Sequence, residues 1–186
     1  MRIIGGQLRG RQFTVPKRSS LRPSTDQARE GLFNLLQHRI TLQDAQVLDL
    51  FAGTGAIGLE CLSRGAAHAT FVEQHRATAR ALQQRLADWG LAAQATVHTR
   101  PVAAYLAAAP AAPFDLIFLD PPYALPGKAE RLAQLLVPTW LAPEGLLVLE
   151  HAQSEASPPH PGLVDARRYG DSVFSFYELP EASSAR

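Results

Sequence analysis

The chain has one cysteine, Cys61, so no internal disulfide can form and nothing in it calls for an oxidising compartment. Its position after a glycine-rich turn, on a segment read as a helix, suits a packed thiol better than a nucleophile. No apolar run is long enough to cross a bilayer as a helix, and the opening MRIIGGQLRGR lacks the hydrophobic stretch of a secretory signal. A cytoplasmic address without a membrane partner is therefore expected. The six histidines are scattered, and no Cys/His cluster has ligand spacing, so no metal is expected. Internal repeats are absent too, which excludes a solenoid. What remains is a chain of 186 residues, 46% hydrophobic and 19% charged. That is ordinary for one globular domain, taken here as a monomer.

Charge is unevenly placed. Residues 1–29 hold Arg2, Arg9, Arg11, Lys17, Arg18, Arg22 and Arg29 against Asp26 alone, a balance of +6, so with +1 overall the remainder carries −5. Such asymmetry favours a basic arm that meets a polyanion while the body does other work. The alternation of short apolar runs with Gly5, Gly6 and Gly10 over Arg2 to Val15 predicts a small β-hairpin, an appendage carrying arginines on its exposed side. Residues 1–23 are read as this arm, 24–180 as the main domain and 181–186 as a disordered tail.

The stretch the chain is built around is VLDLFAGTGAIGLE, residues 47–60. An apolar strand carrying Asp49 opens into a turn whose Gly53, Gly55 and Gly58 have the spacing G-x-G-x-x-G. This pattern allows positive φ, close backbone approach to a nucleotide-like cofactor, and tight packing of the next helix. Glu73 follows Gly53 by twenty residues, as the acidic residue of a dinucleotide fold does, so an NAD-dependent dehydrogenase is one reading. Asp49 favours another. A carboxylate beside the turn repels a diphosphate but attracts the cationic amino-acid end of S-adenosylmethionine (SAM).

From Ser24 the order of elements is regular. Ser24 and Gln27 have capping-box spacing and Asp26 suits the positive end of a helix, which predicts a start near Thr25. Ala28, Leu32, Leu35 and Leu36 recur at helical spacing, and with Phe33 form the predicted core face. Strands are predicted over Gln46–Leu50, His68–Glu73, Ala95–Thr99, Phe114–Leu119 and Gly145–Glu150. Helices between them run to Arg64, to Trp89, over Val102–Ala108 and over Lys128–Leu136. Gly65 and Gly90 stand where left-handed cap residues belong. After a proline-rich loop at 153–162, strands over Val164–Tyr169 and Val173–Leu179 predict an antiparallel edge hairpin joined at Gly170-Asp171. The fold class is thus α/β, a seven-stranded, mostly parallel sheet with helices on both faces.

A second chemical site lies at the same edge of the sheet. The strand FDLIFL ends in Asp120-Pro121-Pro122-Tyr123. Two prolines stiffen the loop and remove two donors, leaving carbonyl oxygens beside a carboxylate. An acceptor-rich loop suits a group with two hydrogens to donate, such as the exocyclic amine of a base, and Tyr123 offers a face for that base to stack on.

DLFAGTGAIGLE followed by DPPY resembles the class I SAM-dependent amino-methyltransferases, which have a Rossmann-like fold. MRIIGGQLRGR, LRPSTDQAREGLFNLL and the total length resemble the bacterial RsmD-like family, which methylates the exocyclic N2 amine of a guanine in 16S ribosomal RNA. The resemblance spans nearly the whole chain. It implies that Asp49, Phe51, Gly53 and Gly55 cradle the methionine part of SAM and that Glu73 binds the ribose hydroxyls. Asp120, Pro121, Pro122 and Tyr123 then hold the target guanine. The chain departs from the family pattern at Arg100 and Pro101, where an Asp or Asn usually meets the adenine amine. That leaves the Val102 N–H for the adenine ring and Tyr105 to line the pocket. The implied partner is ribosomal RNA, free or within an assembled or assembling small subunit, with Arg9, Arg11 and Arg22 on its phosphates. A DNA base amino-methyltransferase is the alternative within the enzyme class, because the acceptor loop is indifferent to the sugar. A non-catalytic nucleotide- or RNA-binding protein is the alternative outside it.

Overall fold

The structure, a computed structural model, describes residues 1–14, 26–121 and 128–180. Helix α1 (Asp26–Leu36) leads into β1 (Gln46–Leu50), α2 (Ala56–Ser63), β2 (His68–Val72) and α3 (Arg76–Asp88). A short 3-10 turn precedes β3 (Ala95–His98), and then come α4 (Val102–Tyr105), β4 (Phe114–Leu119), α5 (Lys128–Trp140) and β5 (Leu141–Ala152). The chain closes with β6 (Leu163–Tyr169) and β7 (Ser172–Tyr177). The sheet order is β3-β2-β1-β4-β5-β7-β6. Its first five strands are parallel, and β7 runs antiparallel between β5 and β6. The order reverses at β1, whose neighbours are β2 and β4, and this opens a crevice beyond the carboxyl ends of these strands.

Alternation along the strands sorts the core into two halves. Val47, Phe71, Leu116, Phe118 and Val148 face α1, α2 and α3, whereas Leu48, Leu50, Ile117, Leu119 and Leu147 face α4 and α5. Gly65 and Gly90 have φ of 100° and 74°, the left-handed caps expected of them. Helix α5 runs past the expected end at Leu136 and through Pro138. Interior proline costs about 3 kcal/mol, but burial of Val137 and Trp140 is worth about 1.5–3 kcal/mol each, so the helix continues.

The N-terminal segment departs from expectation. It makes one antiparallel bridge, between Arg2 and Gln12, rather than two hairpin strands, and it is no appendage. Ile3 and Phe13 are buried in the core shared by α1, α2 and α3. Glu60 of α2, fully buried, accepts the N–H groups of Ile4 (2.8 Å) and Gly5 (2.7 Å) and pairs with Arg64 at 2.9 Å. Ser63 adds an Oγ–H donated to Gly5 O (2.6 Å) and accepts the Leu8 N–H (2.9 Å). Gly6, at φ 73°, passes so close to the Ser63 carbonyl that any Cβ would collide with it. Arg29, counted in the positive balance of residues 1–29, is buried. It donates to Asp26 (2.6 Å) and to the Arg2 carbonyl (2.9 Å), and Arg2 itself pairs with Asp26 at 3.4 Å. The cap at Ser24 and Thr25, Arg22, and the tail at 181–186 lie outside the described residues.

Candidate active site

The glycine turn joins β1 to α2 and is held from both sides by carboxylates. Asp49, buried in β1, accepts the Gly58 N–H at 3.0 Å. Glu73, one residue past β2 and also buried, accepts the Gly53 N–H (2.9 Å) through one oxygen and the His75 N–H (2.6 Å) through the other. Gly53 and Gly55 have φ of 53° and 76°. A Cβ on Gly55 would stand 2.5 Å from Leu82, and one on Gly58 would strike the Phe71 ring. Positive φ at Gly53 and Gly55 and tight packing at Gly55 and Gly58 are two of the uses their spacing predicted. Phe51 also has positive φ, 60°, rare for an aromatic residue and a strain of the kind stored at ligand sites.

Strand register brings the second motif to the first. Asp49 is level with Phe118 of β4, which is level with Val148 of β5. Asp120 and Glu150, each two residues further along, therefore fall on the sheet face of Asp49. Burial pushes the Asp49 carboxyl up to about 7; the Gly58 N–H opposes the rise and Glu73 adds to it. Burial also raises Asp120 well above the usual carboxylate range, and Glu150 and Asp49 reinforce this. Glu150 is buried and accepts the Ser172 Oγ–H at 2.7 Å. Sequence reading missed it, although an acidic residue ending the apolar run LLVLE matches the pattern of Asp49 and Asp120. Asp49 and Asp120 are therefore two carboxyls of the crevice whose ionisation burial disfavours and positive charge favours.

Pro121 is buried directly after Asp120, while Pro122 and Tyr123 lie outside the described residues. Val102 opens α4, where N–H groups have no acceptor within the helix, and its side chain is buried in the α4/α5 half of the core. Tyr105 is half-buried, its ring 4.9 Å from His98 and 5.5 Å from Trp140. Burial and the nearby Arg100 lower His98; burial raises the Tyr105 hydroxyl against the pull of Arg100. Arg9 and Arg11 are exposed on the N-terminal segment. Cys61 is buried, as expected, and burial holds its thiol well above its ordinary range. Among the described residues no group of three or more His, Cys, Asp or Glu is arranged to hold a metal ion.

Residues 1–178 match the profile of the family described as conserved hypothetical protein 95. The chain belongs to this family. Within it, the chain is similar to ribosomal RNA small subunit methyltransferase D of Escherichia coli K12, with 44% identity over 162 residues covering 87% of this chain and 79% of the relative. The solved structure of Escherichia coli yhhF superposes with a TM-score of 0.84 at 38% identity, covering 98% and 99% of the two chains. The RsmD-like resemblance of the sequence therefore stands, and with it the Rossmann-like methyltransferase fold. That fold extends to an RNA methyltransferase of Salinibacter ruber, solved with S-adenosyl-L-homocysteine, at a TM-score of 0.60 and 13% identity over 84% of this chain and 95% of that one. No helix among the described residues is long and apolar enough to cross a membrane.

Proposed function

We propose that this protein transfers a methyl group from SAM to the exocyclic N2 amine of a guanine in small-subunit ribosomal RNA, as a cytoplasmic monomer. The observation that carries the reading is the placement of Asp120 on the same sheet face as Asp49, beside the glycine turn, with both carboxyls held above their usual range by burial. SAM fits this crevice, because its sulfonium and ammonium favour the ionised form of buried carboxyls such as Asp49 and Asp120. SAM brings an electrophilic methyl group; the rest falls to the chain. Gly53, Gly55 and Phe51 shape the turn, Asp49 attracts the ammonium, Glu73 offers its remaining lone pairs to the ribose hydroxyls, and the Val102 N–H meets the adenine.

A guanine amine is a poor nucleophile because its lone pair is delocalised into the ring. Asp120 and the Pro121 carbonyl, accepting both amine hydrogens, draw the nitrogen towards a tetrahedral form, with Pro122 stiffening the loop and Tyr123 stacking on the base. Positive charge in the crevice favours the ionised, accepting form of Asp120. Alignment and electrostatics then drive one displacement, without a covalent enzyme intermediate, and Asp120 or water takes the released proton. Sequence similarity to the Escherichia coli enzyme supports ribosomal RNA as substrate, naked or within the small subunit. The test supplies labelled SAM with naked ribosomal RNA, small subunits and DNA, and maps the label by mass spectrometry. Label at guanine N2 in RNA is expected, and Asp120→Ala should keep SAM affinity while losing roughly 100-fold or more in transfer. Label on DNA alone, or full turnover by the variant, sinks the reading.

A further inference from the structure

We propose that the groove between the N-terminal segment and α3 is a second nucleobase site, which takes an unpaired guanine of the RNA other than the methylated one. The inference rests on RNA being the substrate. The groove has a volume of about 520 Å³, within the range of small-molecule sites. Trp89, the residue after α3, forms its aromatic wall and stands edge-to-face with Phe13, their ring centres 6.0 Å apart. Phe13 is buried, so it fixes the indole. Arg85 braces the floor: its guanidinium lies 4.5 Å from the Phe13 ring centre and donates to the carbonyls of Thr54 (2.8 Å) and Thr14 (3.3 Å). Thr54 belongs to the glycine turn, so the groove abuts the turn assigned to the methyl donor.

Polar groups on the same α3 side select the base. Gln84 and Asp88 are four apart on α3 and share a face. The Gln84 amide donates to one Asp88 oxygen at 2.8 Å, which leaves the Gln84 carbonyl and the second Asp88 oxygen as acceptors. Two neighbouring acceptors suit an edge with adjacent donors, and among the four bases only guanine has one, its N1–H beside its N2 amine. Adenine, cytosine and uracil each set an acceptor next to the donor on that edge. Arg11, whose guanidinium lies over the Trp89 ring 5.6 Å from its centre, brings positive charge to the groove for a flanking phosphate, and must slide along the ring to admit the base. With Arg85 it also disfavours a cationic peptide. Unpaired RNA bases are bound in this manner, stacked on an aromatic ring and read along their hydrogen-bonding edge.

The test titrates the full chain with single-stranded UUGUU, UUAUU and the inosine analogue UUIUU, which lacks the N2 amine, following tryptophan emission. Trp140, the other tryptophan, is buried in the opposite half of the core, and loss of the signal in Trp89→Phe assigns it to the groove. UUGUU should quench, with UUIUU and UUAUU about tenfold weaker. Asp88→Asn, an exposed position outside the methyl-transfer site, should abolish that preference. Equal binding of the three RNAs, an unaltered preference in Asp88→Asn, or quenching by an oligo-arginine peptide in place of RNA overturns the proposal. Transfer to ribosomal RNA is assayed on the same preparations. Transfer without guanine preference at Trp89 defeats the groove alone, whereas guanine preference without transfer to any RNA defeats the functional reading.

Discussion

At the residue scale, the carboxylate that first favoured SAM over a dinucleotide also fixes a pH dependence. Asp49 ionises near 7 in the folded protein rather than at its ordinary 3.8. Between these values the folded state holds a proton that the unfolded chain has lost, so this group's contribution to stability falls as pH rises through that window. Affinity for a cationic donor moves the other way, because only the ionised carboxylate attracts it. Calorimetry should show SAM binding strengthening roughly tenfold from about pH 6 to about pH 8 and levelling above. Asp49→Asn keeps an acceptor for the Gly58 N–H and should flatten that profile; a slope that survives in the variant would assign the titration elsewhere. Asp49, Asp120 and the three glycines were legible because each interrupts or follows an apolar strand within a few residues. Glu150 was not, since no motif surrounds it and only strand pairing makes it a neighbour.

The N-terminal segment shows at the scale of elements where reading along the chain stops. Its glycines and arginines describe a ribbon, and nothing local marks Ile3 and Phe13 as core. Their burial depends on Glu60 and Ser63, some 55 residues away, which satisfy the segment's backbone donors. Glu60→Ala removes two charge-assisted acceptors and the partner of Arg64, and should cost about 3 kcal/mol. Urea unfolding would report this as a lower midpoint at constant slope. A change below about 1 kcal/mol would show that apolar burial alone docks the segment. Helix α5 behaves likewise, because its extension beyond Leu136 is accounted for only when Trp140 is seen against Tyr105 and Phe114.

For the whole molecule, the uneven charge has its consequence in RNA binding. Arg2 and Arg29 are drawn to Asp26, so among the described residues of the segment Arg9 and Arg11 remain for phosphates. Replacing Arg9, Arg11 and Arg22 by alanine should weaken RNA binding and lower the slope of log affinity against log salt by about 0.7 for each phosphate no longer neutralised. An unchanged slope measured by filter binding would remove the segment from the RNA interface.

The sequence by itself determined the α/β class, the order of the elements and the two motifs. Hydrophobic period, glycine conformation and proline stiffness are local properties that neighbours a few residues apart can express. Only the tertiary structure decided that β7 lies between β5 and β6, that the opening segment belongs to the core, and that Asp120 and Glu150 share the sheet face of Asp49. The β1–β4 pairing that joins the two motifs spans about seventy residues of chain, and burial raises the proton affinity of Asp49 and Asp120 only once those strands are side by side.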